Sequence, residues 1–284
     1  MARVKIPIVN AELFRQIGCT VGEGPFWHKD RLYWVDIFER KLYSCSREAQ
    51  DLRSLSVSSD LGAAAPWDEG FILGTKNGIE TLSQGGASQL LSSSPALTPE
   101  FRFNDGKLDP AGRFWCGTTT YKFTVGAGAL YRVERDGTIS CVLEGITLSN
   151  GLDWDEQPGR FYFIDTMTQR VDVFDYDLAS GQIANRRVAF EVPKEFGIPD
   201  GMACDKAGRL WVACWGGSHV IGFDPRSGRT VGRIRVPTQL TSSCWIGPDN
   251  RTLYITTARL NLSPEVLCRE PLAGSVFQAD LPGL

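Results

Sequence analysis

Histidine is almost missing from this chain, with only His28 and His219 among 284 residues. A Ser-His-Asp or Cys-His arrangement would have to recruit one of these two, and neither stands at a position the rest of the sequence repeats. A histidine-ligated zinc site fails for the same reason. The eight cysteines include no C-x-x-C pair, so a metal-type or redox-type cysteine framework is excluded and reduced, mostly buried thiols are expected. No G-x-S-x-G elbow, P-loop or G-x-G-x-x-G lies in a strand-turn-helix context, which leaves nucleotide binding without footing. Basic residues cluster only at Asn185-Arg186-Arg187 and the net charge is −3, so no nucleic-acid partner is expected. No window approaches the ~20 apolar residues of a membrane span. The N-terminus, Met1-Ala-Arg-Val-Lys-Ile-Pro-Ile8, lacks the apolar core and cleavage site of a secretory signal, and a cytoplasmic protein is the expectation. Apolar spacing of three and four is also scarce, which argues against helices.

What the chain has is a repeated sentence. Asp200-Gly-Met-Ala-Cys-Asp205 leads through Lys206-Ala-Gly208 into the apolar run Leu210-Trp-Val212. The same pattern runs from Asn150 to Asp155, from Asn104 to Asp109 and from Glu23 to His28, with weaker copies from Ala63 to Asp68 and from Cys244 to Asp249. Each copy reads as a hairpin: a strand, a polar turn and a buried second strand. The turn positions 28, 68, 109, 155, 205 and 249 lie 40, 41, 46, 50 and 44 residues apart. A strand-and-turn repeat of roughly 40–50 residues is the sequence signature of a propeller blade. Six copies nearly fill the chain, so an all-β, six-bladed propeller spanning residues 1–284 as one domain is expected. Thirty glycines and fifteen prolines suit its many turns. The last copy lacks a fourth strand, and residues 12–18 belong to no complete blade. Pairing of N-terminal and C-terminal strands in one blade would close the ring and remove an open sheet edge. A longer loop at 259–273 has room for one helical turn.

The first strand of each blade lines the central channel, so positions five before each turn form a ring: Glu23, Ala63, Asn104, Asn150, Asp200 and Cys244. Asn-Gly and Asp-Gly pairs are also turn-formers through their tolerance of left-handed backbone. Four oxygen-bearing side chains in phase, one of them a Glu without turn preference, favour a site. Two carboxylates facing each other in a narrow channel repel unless a cation sits between them. An all-oxygen donor set suits a hard divalent ion such as Ca²⁺, Mg²⁺ or Mn²⁺. Strand alternation places Arg102 on the side of Asn104, suited to holding substrate oxygens.

Several stretches together resemble the regucalcin and sugar-lactonase family, also called senescence-marker-protein/gluconolactonase/luciferin-regenerating-enzyme-like. They are Val21-Gly-Glu-Gly-Pro-Phe-Trp27, Arg102-Phe-Asn-Asp-Gly-Lys-Leu108, Ser149-Asn-Gly-Leu-Asp-Trp154, Pro199-Asp-Gly-Met202 and Leu210-Trp-Val-Ala-Cys-Trp-Gly-Gly217. The resemblance runs from about residue 17 to residue 280. It implies a six-bladed propeller with one catalytic divalent metal ion (Ca²⁺, Zn²⁺, Mg²⁺ or Mn²⁺) held by Glu23, Asn150 and Asp200, with Asp200 also the general base. It implies that Arg102 and Asn104 face a small-molecule sugar lactone, which the enzyme opens by hydrolysis. Relatives of this kind carry acids just after the Gly-Thr of the third blade, one of them facing substrate. Here Gly117-Thr118 is followed by Thr119-Thr120-Tyr121-Lys122-Phe123, so Tyr121 and Lys122 become the candidate substrate contacts. Two other classes stay open: a phosphotriesterase-like hydrolase on the same scaffold, and a non-catalytic calcium-binding regulatory or scaffold protein.

Overall fold

In the computed structural model, which describes residues 6–93 and 98–282, six sheets carry the chain in sequence order. Each is an antiparallel meander whose first strand lies innermost: Gly22–His28, Leu61–Trp67, Phe101–Leu108, Ser149–Asp155, Ile198–Cys204 and Thr241–Ile246. Consecutive inner strands pack against one another round a common axis, and the last packs against the first. The molecule is a six-bladed β-propeller, as the period demands. Ring closure follows the expectation: Glu12–Arg15 pairs antiparallel with Val276–Asp280 and completes blade six. The helical turn in the last long loop is Pro264–Arg269, capped by the Ser263 side chain.

One strand has no counterpart in the sequence reading. Ile8–Asn10 adds to the outer edge of blade five, parallel to Arg229–Arg235. A parallel partner comes from a distant part of the chain without a connecting turn, so no local signal announces it.

The core lies between blades. Trp34, Trp115 and Trp211, each on a second strand, are among the largest fully buried side chains. The turn acids anchor two of them. Asp205 accepts hydrogen bonds from Ala207 N (2.9 Å), Arg209 N (3.0 Å), Arg209 Nε (2.6 Å) and Trp211 Nε1 (3.0 Å). Asp109 repeats the pattern with Ala111 N, Arg113 N, Arg113 Nε and Trp115 Nε1, and adds the Tyr176 hydroxyl. A D-x-A-G-R-x-W motif thus ties each turn to the core tryptophan. All eight cysteines are unpaired; Cys19, Cys45, Cys116, Cys214 and Cys244 are buried. Among the described residues no helix is long and apolar enough to cross a membrane.

Candidate active site

Every inner strand shifts register against its neighbour close to its ring position: between Glu23 and Phe26, Leu61 and Ala63, Phe103 and Gly106, Asn150 and Leu152, Pro199 and Met202, and Thr241 and Ser243. An irregularity of this kind bends a strand and re-aims side chains, and here it recurs in all six blades at the depth of the ring. The glycines after Asn150 and Asp200 have their own reason. A Cβ on Gly151 would lie 2.7 Å from Asp200 O and 2.8 Å from Met202 Cβ, and one on Gly201 would lie 2.1 Å from Ser243 Oγ. Neither Asn150, Asp200 nor these two glycines has positive φ. The Asn-Gly and Asp-Gly pairs are therefore not turn-formers; glycine lets the next inner strand come close.

Glu23, Arg102, Asn104, Asn150 and Asp200 line one cavity of about 390 Å³ together with Thr166. All six of these side chains are buried. Asn104 Nδ2 donates to Asn150 Oδ1 (2.7 Å) and to Ser149 O (2.7 Å). Asn150 Nδ2 donates to Thr166 Oγ1 (2.7 Å), whose hydroxyl donates to Pro199 O (2.9 Å). This chain of bonds fixes the Asn150 amide with a lone pair of its Oδ1 still free. Arg102 donates through Nη1 to Asn104 Oδ1 and Phe103 O, its guanidinium lies 5.7 Å from the Phe38 ring centroid and 5.9 Å from that of Tyr121, and its buried Nε has no hydrogen-bond partner.

The two ring carboxylates are the least satisfied groups here. Glu23 Oε2 accepts from its neighbour Gly24 N (3.0 Å), and the carboxylate takes a further hydrogen bond from the Ser243 side chain. Asp200 accepts no hydrogen bond from the described residues, and burial, then the charges of Glu23 and Asp105, push its pKa well above the usual carboxylate range. Burial and Asp105 likewise push Glu23 up. Among the described residues no three His, Cys, Asp or Glu side chains form a metal-binding group; the donors brought together are two carboxylates and one amide oxygen. Oxygen donors that are buried, short of hydrogen bonds and mutually repulsive fit a hard divalent cation, which would satisfy both carboxylates at once.

Not every expected contact is free to meet a substrate. Asn104 is fully engaged with Arg102, Asn150 and Ser149, so it orients its neighbours and leaves no free donor. Tyr121 turns its hydroxyl to Asp60, and Lys122 is exposed and outside the lining. Phe123 lines the cavity in their place, held at φ 51°, because the loop doubles back after Tyr121 on a bond from Thr124 N to Thr120 Oγ1 and one from Thr120 Oγ1 to Thr124 Oγ1.

Three features escaped the sequence reading. Asp105 is buried beside Asn104, because the register shift breaks the alternation that would have turned it outward. It lines a separate cavity of about 220 Å³ with Lys107 and Trp245. Thr166, which holds Asn150, follows a second strand and shows no motif of its own. Asp165 and Asp36 end the second strands of their blades and clamp the loops leading to the ring: Asp165 accepts from Thr147 N and Leu148 N, Asp36 from Thr20 N and Val21 N. The two hold the same register, opposite Gly22 and Ser149, but hairpins of different length put them out of phase in the sequence, so spacing alone did not mark them.

A six-bladed propeller with one oxygen-rich, carboxylate-bearing site on its axis defines a recognisable class. Residues 21–259 match the model of the SMP-30/Gluconolactonase/LRE-like region, and the chain belongs to that family. It is 35% identical over 289 residues to regucalcin of Homo sapiens, covering 98% of this chain and 95% of the relative. It is 34% identical over 278 residues to a Bacillus subtilis (strain 168) protein that bears the provisional name sugar lactone lactonase YvrE, covering 96% and 95%. Its fold matches the crystal structure of a calcium-binding protein, regucalcin, from Agrobacterium tumefaciens str. C58 with a TM-score of 0.91 at 24% identity, over 99% of this chain and 97% of the other.

Proposed function

We propose that this chain is a divalent-metal-dependent lactonase: a hydrolase that opens a cyclic ester to the free hydroxy acid, with sugar lactones, the class in the name of the Bacillus subtilis relative, as the first substrates to try. The observation that carries the reading is the pair of buried ring carboxylates, Glu23 and Asp200, with Asn150 locked beside them by Asn104 and Thr166. Glu23, Asn150 and Asp200 would hold the cation. When bound, it supplies Lewis acidity toward the ester carbonyl. Asp200, bound by no donor of its own, is the group able to take the proton of an attacking water. Arg102, charged and with Nε unpartnered, offers a donor to a lactone oxygen and so orients the ring. The apolar residues round the cavity keep bulk water away from these charges, which strengthens each interaction.

The test is hydrolysis of sugar lactones and of organophosphate esters, each with and without chelator. The reading expects lactone turnover that chelator abolishes and divalent ions restore. Metal-dependent turnover of the phosphate esters alone would move the chain to phosphotriesterase chemistry. Metal binding without any turnover would make it a calcium-binding regulatory protein.

A further inference from the structure

The 390 Å³ cavity is divided by chemistry. Its polar side chains are the buried set just described, with Asn261 added from a loop. Everything else that lines it is apolar, and the more exposed part comes from strand ends and loops: Phe38, Phe123, Ile198, Trp215, Leu260 and Leu262. A lactone whose ring sits against Asp200 and Arg102 must direct its substituent along these apolar walls.

The hydrogen-bond inventory sharpens the point. Both amide donors of the inner set and the Thr166 hydroxyl already serve protein acceptors: Asn104 on Ser149 O and Asn150, Asn150 on Thr166, Thr166 on Pro199 O. Tyr121 is engaged by Asp60. The donors left for substrate hydroxyls are those of Arg102 and Asn261, the second N–H of Asn150 and the Trp215 indole N–H. Beyond reach of these groups and of the Glu23 and Asp200 oxygens, a polyhydroxylated arm would set its outer hydroxyls against hydrocarbon, and each buried polar group left unpaired is costly. A hydrocarbon arm gains from the same walls. Phe123 adds an independent sign: a bulky residue held in left-handed backbone, a strained arrangement that concentrates at ligand sites.

We infer that the preferred substrate of this site is a lactone bearing an aliphatic or aryl arm in place of a polyol. The inference rests on the lactonase reading and narrows it. The chemistry is ordinary hydrolysis: the water oxygen bonds to the carbonyl carbon, and the bond from that carbon to the ring oxygen breaks. One water proton ends on the ring oxygen as a hydroxyl, and the other is released as the product acid ionises.

The experiment uses metal-loaded full-length protein with D-glucono-δ-lactone and the series δ-octalactone, δ-decalactone and δ-dodecalactone. We expect kcat/KM to exceed that for gluconolactone by at least tenfold and to rise up to about fourfold per methylene added while the arm stays buried. Phe123→Asn keeps a residue that tolerates the left-handed backbone and removes the apolar wall; it should cut the decalactone-to-gluconolactone ratio several-fold. A calorimetric titration with the unreactive lactam analogues of decalactone and gluconolactone reads the same preference without turnover. Gluconolactone turned over as well as or better than decalactone, or a ratio unmoved by Phe123→Asn, overturns the inference and leaves the lactonase reading standing. If no lactone of either kind is hydrolysed, both fall together.

Discussion

Two aspartates five residues apart bracket the inner strand of blade five, equally buried and opposite in their surroundings. Asp205, 7% exposed, takes four hydrogen bonds from the turn it begins and from the tryptophan it anchors. Asp200, 6% exposed, takes none from the described residues. Burial alone does not separate a structural acid from a chemical one. What separates them is whether the protein supplies the donors: a carboxylate surrounded by N–H groups is finished, and a carboxylate left bare among other carboxylates awaits a cation or a proton.

The comparison breaks most sharply under substitution. Asp200→Asn, saturated with metal, should lose roughly 10²–10⁴-fold in kcat, the usual cost of removing a positioned general base, with its circular dichroism unchanged. Asp205→Ala should keep kcat per folded molecule within a few-fold while losing about 3–5 kcal/mol, because the Asp205–Arg209 ion pair is broken and the turn N–H groups and the buried Trp211 indole N–H lose their acceptor. For a chain of this size that lowers Tm by at least about 6 °C. Lactone turnover by Asp200→Asn within a few-fold of the parent would dissolve the distinction and move the base role to Glu23.

Metal-free protein carries the contrast into stability. With chelator present, Asp200→Asn should raise Tm, since it removes a buried carboxyl that must either stay charged beside Glu23 or hold a proton against its usual pKa, whereas Asp205→Ala lowers it in any condition. A fall in the Tm of chelated Asp200→Asn would mean that Asp200 already has the partners its surroundings deny it.

Glu23 gives the comparison a pH axis. Burial and the charge of Asp105 move its pKa from 4.5 up to about 8. Between those values the folded, metal-free protein holds a proton that the unfolded chain has released. Its contribution to stability is therefore complete below about pH 4.5 and is lost as pH rises through about 8. Tm of chelated protein should fall across this window, and saturating divalent ion should remove the slope. A flat profile without metal would show that the two carboxylates do not share a confined space.

The smallest expected effect falls on the scaffold of Asn150. Thr166→Val deletes the acceptor of the Asn150 amide and should weaken metal affinity about 10–100-fold, as loss of a partner behind a ligand does. Turnover at saturating metal should stay near that of the parent. Unchanged affinity would mean that Asn104 alone orients the amide.

How much of this was legible before the fold was known follows the same division. The blade period, ring closure by Glu12–Arg15 and the phase of Glu23, Asn104, Asn150 and Asp200 all repeat along the chain, and repetition survives translation into sequence. Asp105 was passed over because a register shift buries two consecutive residues, which alternation forbids. Phe123 was passed over for Tyr121 and Lys122 because the loop reverses on Thr120 and Thr124, a local bond pattern with no periodic trace. Ile8–Asn10 was invisible because it adds, in parallel, to a blade that already has its four strands, so no missing strand called for it.

That segment sets an order of events during synthesis. Ile8–Asn10 waits for Arg233–Arg235, and Glu12–Arg15 waits for Val276–Gln278. Both partners are made more than two hundred residues after the strands they meet, so the two early strands cannot pair until those residues have left the ribosome. The ring therefore cannot shut before Val276–Asp280 has been made.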